Sequence, residues 1–148
     1  MKIIRTTAEN QDFIQLVKML DEYLAYVDGD DHAFYDQFNG IDTLTNSVIL
    51  YEEGNAVGCG AVKPFDALSA EVKRMFVIPE FRGKGYASAI LSELEKWAAE
   101  LGFKSLILET GKGQTDAIGL YEKSYERIAN YGPYAGVENS VCFRKNLK

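Results

Sequence analysis

The segment EVKRMFVIPEFRGKGYASAIL, Glu71 to Leu91, constrains this chain more than any other stretch. Its first half is an apolar, β-rich run that Pro79 stops. Its second half opens an amphipathic helix, with Ala87, Ile90, Leu91, Leu94, Ala98 and Leu101 on one stripe and Trp97 beside it. Gly102 is placed to end that helix as a C′ residue. The next apolar run, Lys104–Thr110, reads as a buried strand. A strand–helix–strand step of this kind joins parallel neighbours through a right-handed crossover. The step from Val72 to Leu108 therefore predicts a mixed sheet with helices on both faces.

The remaining segments supply the rest of the sheet. Lys2–Thr7 reads as a first strand. Phe13, Leu16, Val17, Leu20, Leu24 and Val27 recur at helical spacing, with Asn10 or Asp12 as the N-cap. The acidic, aromatic stretch from Asp28 to Gly40 reads as a loop with a short helix. Ser47–Phe65 reads as a hairpin turning near Glu53–Asn55. A loop at Gly111–Thr115 leads into a helix spanning 116–128, and residues 138–147 read as a last strand. With no repeat and no linker, residues 1–148 are expected to form one domain.

Charge and cysteine usage narrow the function classes. A net charge of −6 and a pI near 4.8 oppose an extended nucleic-acid surface, which needs clustered Lys and Arg. Cys59 and Cys142 lie far apart in apolar surroundings, and His32 is the single histidine, so neither a zinc site nor a Cys–His nucleophile is expected. Two thiols and no signal peptide suit a reducing cytoplasm. No apolar run is long enough to span a membrane.

The bend before the helix carries the chemistry. A helix N-terminus leaves backbone N–H groups unpaired and adds partial positive charge. Gly83 and Gly85 permit unusual backbone conformations and close approach, while Arg82 and Lys84 add charge. Together they suit a phosphate or pyrophosphate cradle. The same residues also suit a plain polar turn with surface cations. Neither RGKGY nor TGKGQ supplies the G-x-x-x-x-G-K-[ST] of a nucleotide hydrolase. Ser88 stands where a dinucleotide fingerprint needs its third glycine.

Residues 71–91 closely resemble the cofactor-binding segment of the GNAT superfamily of N-acetyltransferases. Its loop reads Arg/Gln-x-x-Gly-x-Gly/Ala, and Arg82, Gly85 and Ala87 match in register. ETGKGQTDAIGLYEK, 109–123, resembles the family's next strand and helix at the right distance. The resemblance runs from about Ile3 to Leu147 and is strongest from Glu71 to Lys123. It implies an α/β (α+β) fold with a mixed, mostly antiparallel central sheet, splayed parallel neighbours and helices on both faces. The implied donor is acetyl-CoA. Its pyrophosphate would lie on the backbone of Arg82, Gly83, Lys84, Gly85, Tyr86 and Ala87, and its pantetheine arm would pair with the main chain near Met75, Phe76 and Val77.

Direct acyl transfer to an amine needs few groups. An alkyl ammonium, with a pKa near ~10, must lose a proton before it attacks, and the departing thiolate, near ~8.5, needs a donor. By resemblance Tyr121 is the acid at the thiolate and Glu71 the base acting through water. Glu109, at a strand's carboxyl end, is the rival base. Gln114 stands where the family often has an asparagine touching pantetheine. The sequence also departs from the family after this helix, where Ser124 and Tyr125 replace a Gly-aromatic turn with one residue fewer.

The acceptor is read from the loop Ala129–Asn139, where Tyr131 and Tyr134 flank Gly132–Pro133. Those aromatics suit a small amine or amino-acid-like molecule. The run Asp28–Asp31 with His32 could draw a cation to the cleft. The expected activity is N-acetylation of a primary amine on a small-molecule or amino-acid-like acceptor. The alternatives are acetylation of a protein lysine or N-terminus, and a non-catalytic acetyl-CoA sensor. The resemblance suggests a homodimer, with no nucleic-acid or membrane partner and no metal.

Overall fold

The computed structural model describes residues 1–29 and 44–147. His32 and most of the acidic run before it lie outside the described residues, as does the expected short helix.

Seven strands form one sheet in the order β1-β2-β3-β4-β5-β7-β6. They are β1 (Lys2–Thr6), β2 (Asn46–Glu52), β3 (Asn55–Pro64), β4 (Ser69–Val77), β5 (Ser105–Gly111), β6 (Glu126–Ile128) and β7 (Ser140–Asn146). Every neighbouring pair is antiparallel except β4 and β5, which are parallel. Among the described residues there are three α-helices: α1 (Gln11–Asp28), α2 (Tyr86–Glu100) and α3 (Thr115–Glu122). The mixed sheet expected from the Val72–Leu108 step is present.

Each face of the sheet is covered by a different helix. Helix α1 starts at Asn10, whose side-chain oxygen accepts from the N–H groups of Asp12 and Phe13. Its apolar stripe packs on Ile49, Cys59, Ala61 and Phe76. Helix α2 buries Ile90, Leu91, Leu94 and Ala98 on the opposite face, against Val48, Leu50, Val57, Val62 and Val72. Val48, Ile49 and Leu50 thus alternate between the two cores, as a strand's two-residue period requires. At the end of α2, Gly102 takes a φ of 95°. Its N–H bonds to the Ala99 carbonyl, and that of Phe103 to Ala98. This is the paired closure of a glycine-terminated helix. Leu101, expected on the buried stripe, is instead half exposed, because the stripe ends where the chain leaves the helix.

A second difference concerns the span 116–128. The helix stops at Glu122, and Glu126–Ile128 pairs with β7 as an edge strand. Tyr121, Tyr125 and Ile128 satisfy a helical spacing as well as a turn-then-strand arrangement. Bonding of the Ser124 and Tyr125 N–H groups to the Tyr121 carbonyl closes the helix, and ladder pairing to β7 takes over.

Two devices place the site. Strand β4 carries a bulge: Cys59 opposes Phe76 and Ala61 opposes Lys73, so Arg74 and Met75 share the width of Gly60. Arg74 takes a left-handed φ of 59° there. Gly60 then lets α2 come close, since a Cβ at this position would lie 2.7 Å from Met75 Sδ and 3.0 Å from Leu94 Cδ1. Gly60→Val should therefore overpack this contact and cost about 1–3 kcal/mol in urea unfolding. An unchanged midpoint would show that α2 does not press on β3 here.

Candidate active site

Strands β4 and β5 pair over only three residues: Ser69 with Ser105, Ala70 with Leu106 and Glu71 with Ile107. Beyond that they part, although β4 continues to Val77 and β5 to Gly111. The gap opens into a cleft of about 520 Å³. Its walls are Val72–Val77 on one side and Leu108–Gly111 on the other, with Leu20, Tyr23 and Leu24 of α1 nearby. Unpaired backbone groups on facing strand edges need partners, and an amide-bearing chain is of the right kind to supply them.

The N-terminus of α2 stands at the mouth. Phe81, Arg82, Gly83, Gly85, Tyr86, Ala87 and Ser88 line it. Gly83 and Gly85 both adopt positive φ, 83° and 82°, and a Cβ on either would meet nothing within 4 Å. Their requirement for glycine is therefore one of backbone conformation, not of room. The first-turn N–H groups of α2 have no acceptor within their own helix. The Arg82 N–H, in contrast, already bonds to the Pro79 carbonyl at 3.2 Å, so it is not among the open donors of the bend.

The two cations of the bend are both held. Arg82 donates from Nε to the Val77 carbonyl at 2.9 Å, and its guanidinium lies over the rings of Tyr23 and Phe76. Lys84 bonds to Glu52 at 3.1 Å and does not line the cleft. Tyr86 also donates to Glu52, and these two bonds, that of Tyr86 first, hold the Glu52 carboxyl below the usual range. A carboxylate from β2 thus fixes the outer side of the loop.

The structure brings Tyr121, Glu109, Met75, Phe76, Val77 and Gln114 together around one cleft. Tyr121 is buried against Tyr125 and Phe143. Burial pushes its phenol well above its ordinary pKa, so it remains a proton donor at neutral pH. Gln114 sits at the N-cap of α3 without a capping side-chain bond.

Glu71 is placed differently. It is buried and is not part of the cleft wall. Its Oε2 accepts from the Tyr131 hydroxyl at 2.7 Å and lies 3.3 Å from Lys73 Nζ. Lys73 in turn donates to the Tyr134 hydroxyl at 2.9 Å. Loop residues Tyr131 and Tyr134 are thereby fastened onto the start of β4, with their rings edge to face. Burial lowers the Lys73 pKa, and the Glu71 carboxylate acts against that shift. Burial, then Glu71, push the Tyr131 phenol upward.

Lys73, Arg74 and Thr110 are among the polar lining residues that were not read from the sequence. Adjacent Lys and Arg inside an apolar strand break the two-residue alternation, and that break was the available signal of the bulge. Cys59 and Cys142 are buried and free. Burial raises the Cys59 thiol to about 12, which leaves it unsuited to nucleophilic work. Among the described residues no cluster of three or more His, Cys, Asp or Glu could hold a metal. No described helix is long and apolar enough to cross a membrane.

A model of the Acetyltransferase (GNAT) family matches residues 13–125. The chain belongs to this family. An IAA acetyltransferase of Azospirillum brasilense is 32% identical to this GNAT chain, across 98% of the chain and 97% of the relative. Among solved structures, a Klebsiella pneumoniae protein assigned as an acyl-CoA N-acyltransferase superposes with a TM-score of 0.83 at 27% identity, covering 99% of this chain and 97% of the other. A GNAT family acetyltransferase from Elizabethkingia anophelis, with acetyl-CoA bound, gives 0.68 at 18% identity, covering 99% and 97%. That second likeness is one of fold. As a GNAT member, the chain is an acyltransferase.

The Glu71 arrangement yields a stability test. Tyr131→Phe removes one hydrogen bond from a buried carboxylate and should cost about 1–3 kcal/mol in urea unfolding. No loss would mean that the Tyr131–Glu71 bond is absent in solution.

Proposed function

We propose that residues 1–148 act as one N-acetyltransferase domain, moving an acetyl group from acetyl-CoA directly to the primary amine of a small molecule. The observation that carries this reading is the parting of β4 and β5 in front of the α2 N-terminus. Acetyl-CoA is the donor. Its pyrophosphate rests on the open N–H groups of the bend from Gly83 to Ala87, and its pantetheine amides pair with the β4 edge near Met75, Phe76 and Val77. Acetyl-CoA in the Elizabethkingia relative supports the choice of donor.

The chain's own groups then divide the work. Tyr121 donates a proton or hydrogen bond to the leaving thiolate; its burial in the cleft wall supports that role. Glu109, which lines the cleft, accepts the ammonium proton before attack. Glu71, tied to Tyr131 and Lys73 away from the cleft wall, serves instead to position that cluster. The carbonyl carbon gains a bond to nitrogen as its bond to sulfur breaks; of the two protons nitrogen loses, the first passes through Glu109 to solvent and the second replaces the one that Tyr121 gives to the thiolate.

A small acceptor is favoured over a protein segment because the loop bearing Tyr131 and Tyr134 is bonded down onto β4. An open groove for a peptide would need this loop to stand clear. Two buried free thiols suit the reducing compartment in which such an enzyme would work.

Thiol release from acetyl-CoA across a panel of amines tests the reading, and release with at least one amine is the expected result. Binding of acetyl-CoA with no release for any amine would favour a sensor. Tyr121→Phe should lower kcat by about 10²-fold or more with the KM for acetyl-CoA within about threefold; an unchanged kcat would remove Tyr121 from the mechanism. Gly85→Ala places a side chain on a left-handed residue, at a cost of about 1–2 kcal/mol. It should weaken acetyl-CoA binding about tenfold by calorimetry, and unaltered affinity would move the diphosphate elsewhere.

A further inference from the structure

At the root of the splay stand two consecutive cations, Arg74 on the β4 bulge and Lys73 beside it. Lys73 and Arg74 both line the cleft, and both side chains are at least nine-tenths buried. Such charges are expensive to bury unless every donor has an acceptor. Arg74 meets this condition only in part. Its Nη2 donates to Asp21 and, at 3.4 Å, to the Val17 carbonyl of α1. Its Nε and Nη1 have no acceptor among the described residues. Lys73 gives one bond to the Tyr134 hydroxyl and one contact to Glu71, which also accepts from Tyr131. An ammonium carries three N–H groups, and the Glu109 carboxylate also acts on this one. Across the cleft Glu109 presents a carboxylate on β5. The acceptor end is therefore two-signed, with cations on β4 facing an anion on β5.

We infer that the acceptor is an amine that also carries a carboxylate, as an α-amino acid does, with the carboxylate received by Lys73 and Arg74 and the amine turned toward Glu109. This rests on the acetyltransfer reading above and narrows it to one substrate class. A carboxylate brings two oxygens and about four lone-pair sites, enough to occupy donors from both cations at once. A neutral amine would leave Nε and Nη1 of Arg74 buried without acceptors. Hydrogen bonds between charged partners are the stronger kind, so the preference for acid over amide should be large. Tyr134 acts as a positioning residue: its hydroxyl and ring hold the ammonium of Lys73, which lies 5.4 Å from the ring centroid.

The test uses the complex of the full chain with coenzyme A. Isothermal titration compares glycine, L-alanine, L-methionine, L-glutamate and L-phenylalanine, each against its own carboxamide. At least one acid should bind about tenfold or more tightly than its carboxamide. Equal binding of every acid and its amide, or no binding by any member, would overturn the inference. Lys73→Met should reduce the acid preference to within about threefold; a preference kept intact would overturn the role of Lys73. Should that variant not fold, the wild-type comparison still decides the substrate class. Failure of coenzyme A itself to bind would instead defeat the underlying acetyltransfer reading. A chain that binds coenzyme A and releases thiol from acetyl-CoA with amines lacking a carboxylate, but shows no acid preference, defeats only this inference.

Discussion

The structure depends on an interruption: the hydrogen bonding between β4 and β5 ends after three residue pairs. Most strands in a sheet stay paired because an unmet backbone donor or acceptor costs free energy wherever water is excluded. Here two strands of useful length continue apart, and the space between them becomes a cleft with polar edges. The core tolerates the parting because each side is anchored independently. Strand β4 is paired to β3 on both sides of its bulge, and β5 is paired to β7 along its length. Helix α2 bridges the two strands in sequence and presents its N-terminus at the opening.

The bulge on β4 gives the cleft its chemistry. One additional residue opposite Gly60 turns Arg74 toward α1, where Asp21 meets it, and returns Met75 to the opposite core. Lys73 keeps company with Glu71, Tyr131 and Tyr134. Lys73, Arg74 and Glu109 are thus gathered where the strands separate, while the cleft beyond them is walled by the β4 edge, the α2 N-terminus and Arg82. That division suits a long neutral arm along the strand edge and a charged reactant at its end, which is how the proposed donor and acceptor would be arranged.

Much of this was legible in the chain itself. Glycines at 83 and 85 between a strand and an amphipathic helix required a special turn, and positive φ at both is what the backbone adopts. The hairpin, the Asn10 cap and the Gly102 closure followed from local chemistry in the same way. What escaped depends on partners distant in sequence. Glu71 lies in the same strand as the site, yet its neighbours include Tyr131, sixty residues on, and a strand pattern does not report which hydroxyl a carboxylate meets. Lys84 looked like a phosphate ligand, and Glu52 of another strand holds it. The edge strand β6 is three residues long, too short for a two-residue period to outweigh a helical one.

The central claim is that the gap between β4 and β5 and the turn ahead of α2 form one continuous binding site for an acyl carrier. A crystal structure of the chain with acetyl-CoA measures this directly. The account predicts the diphosphate within hydrogen-bond distance of the N–H groups between Gly83 and Ala87, and the pantetheine amides paired with the β4 backbone near Met75–Val77. Density for the carrier elsewhere on the molecule, or an arm lying outside the gap, would contradict it.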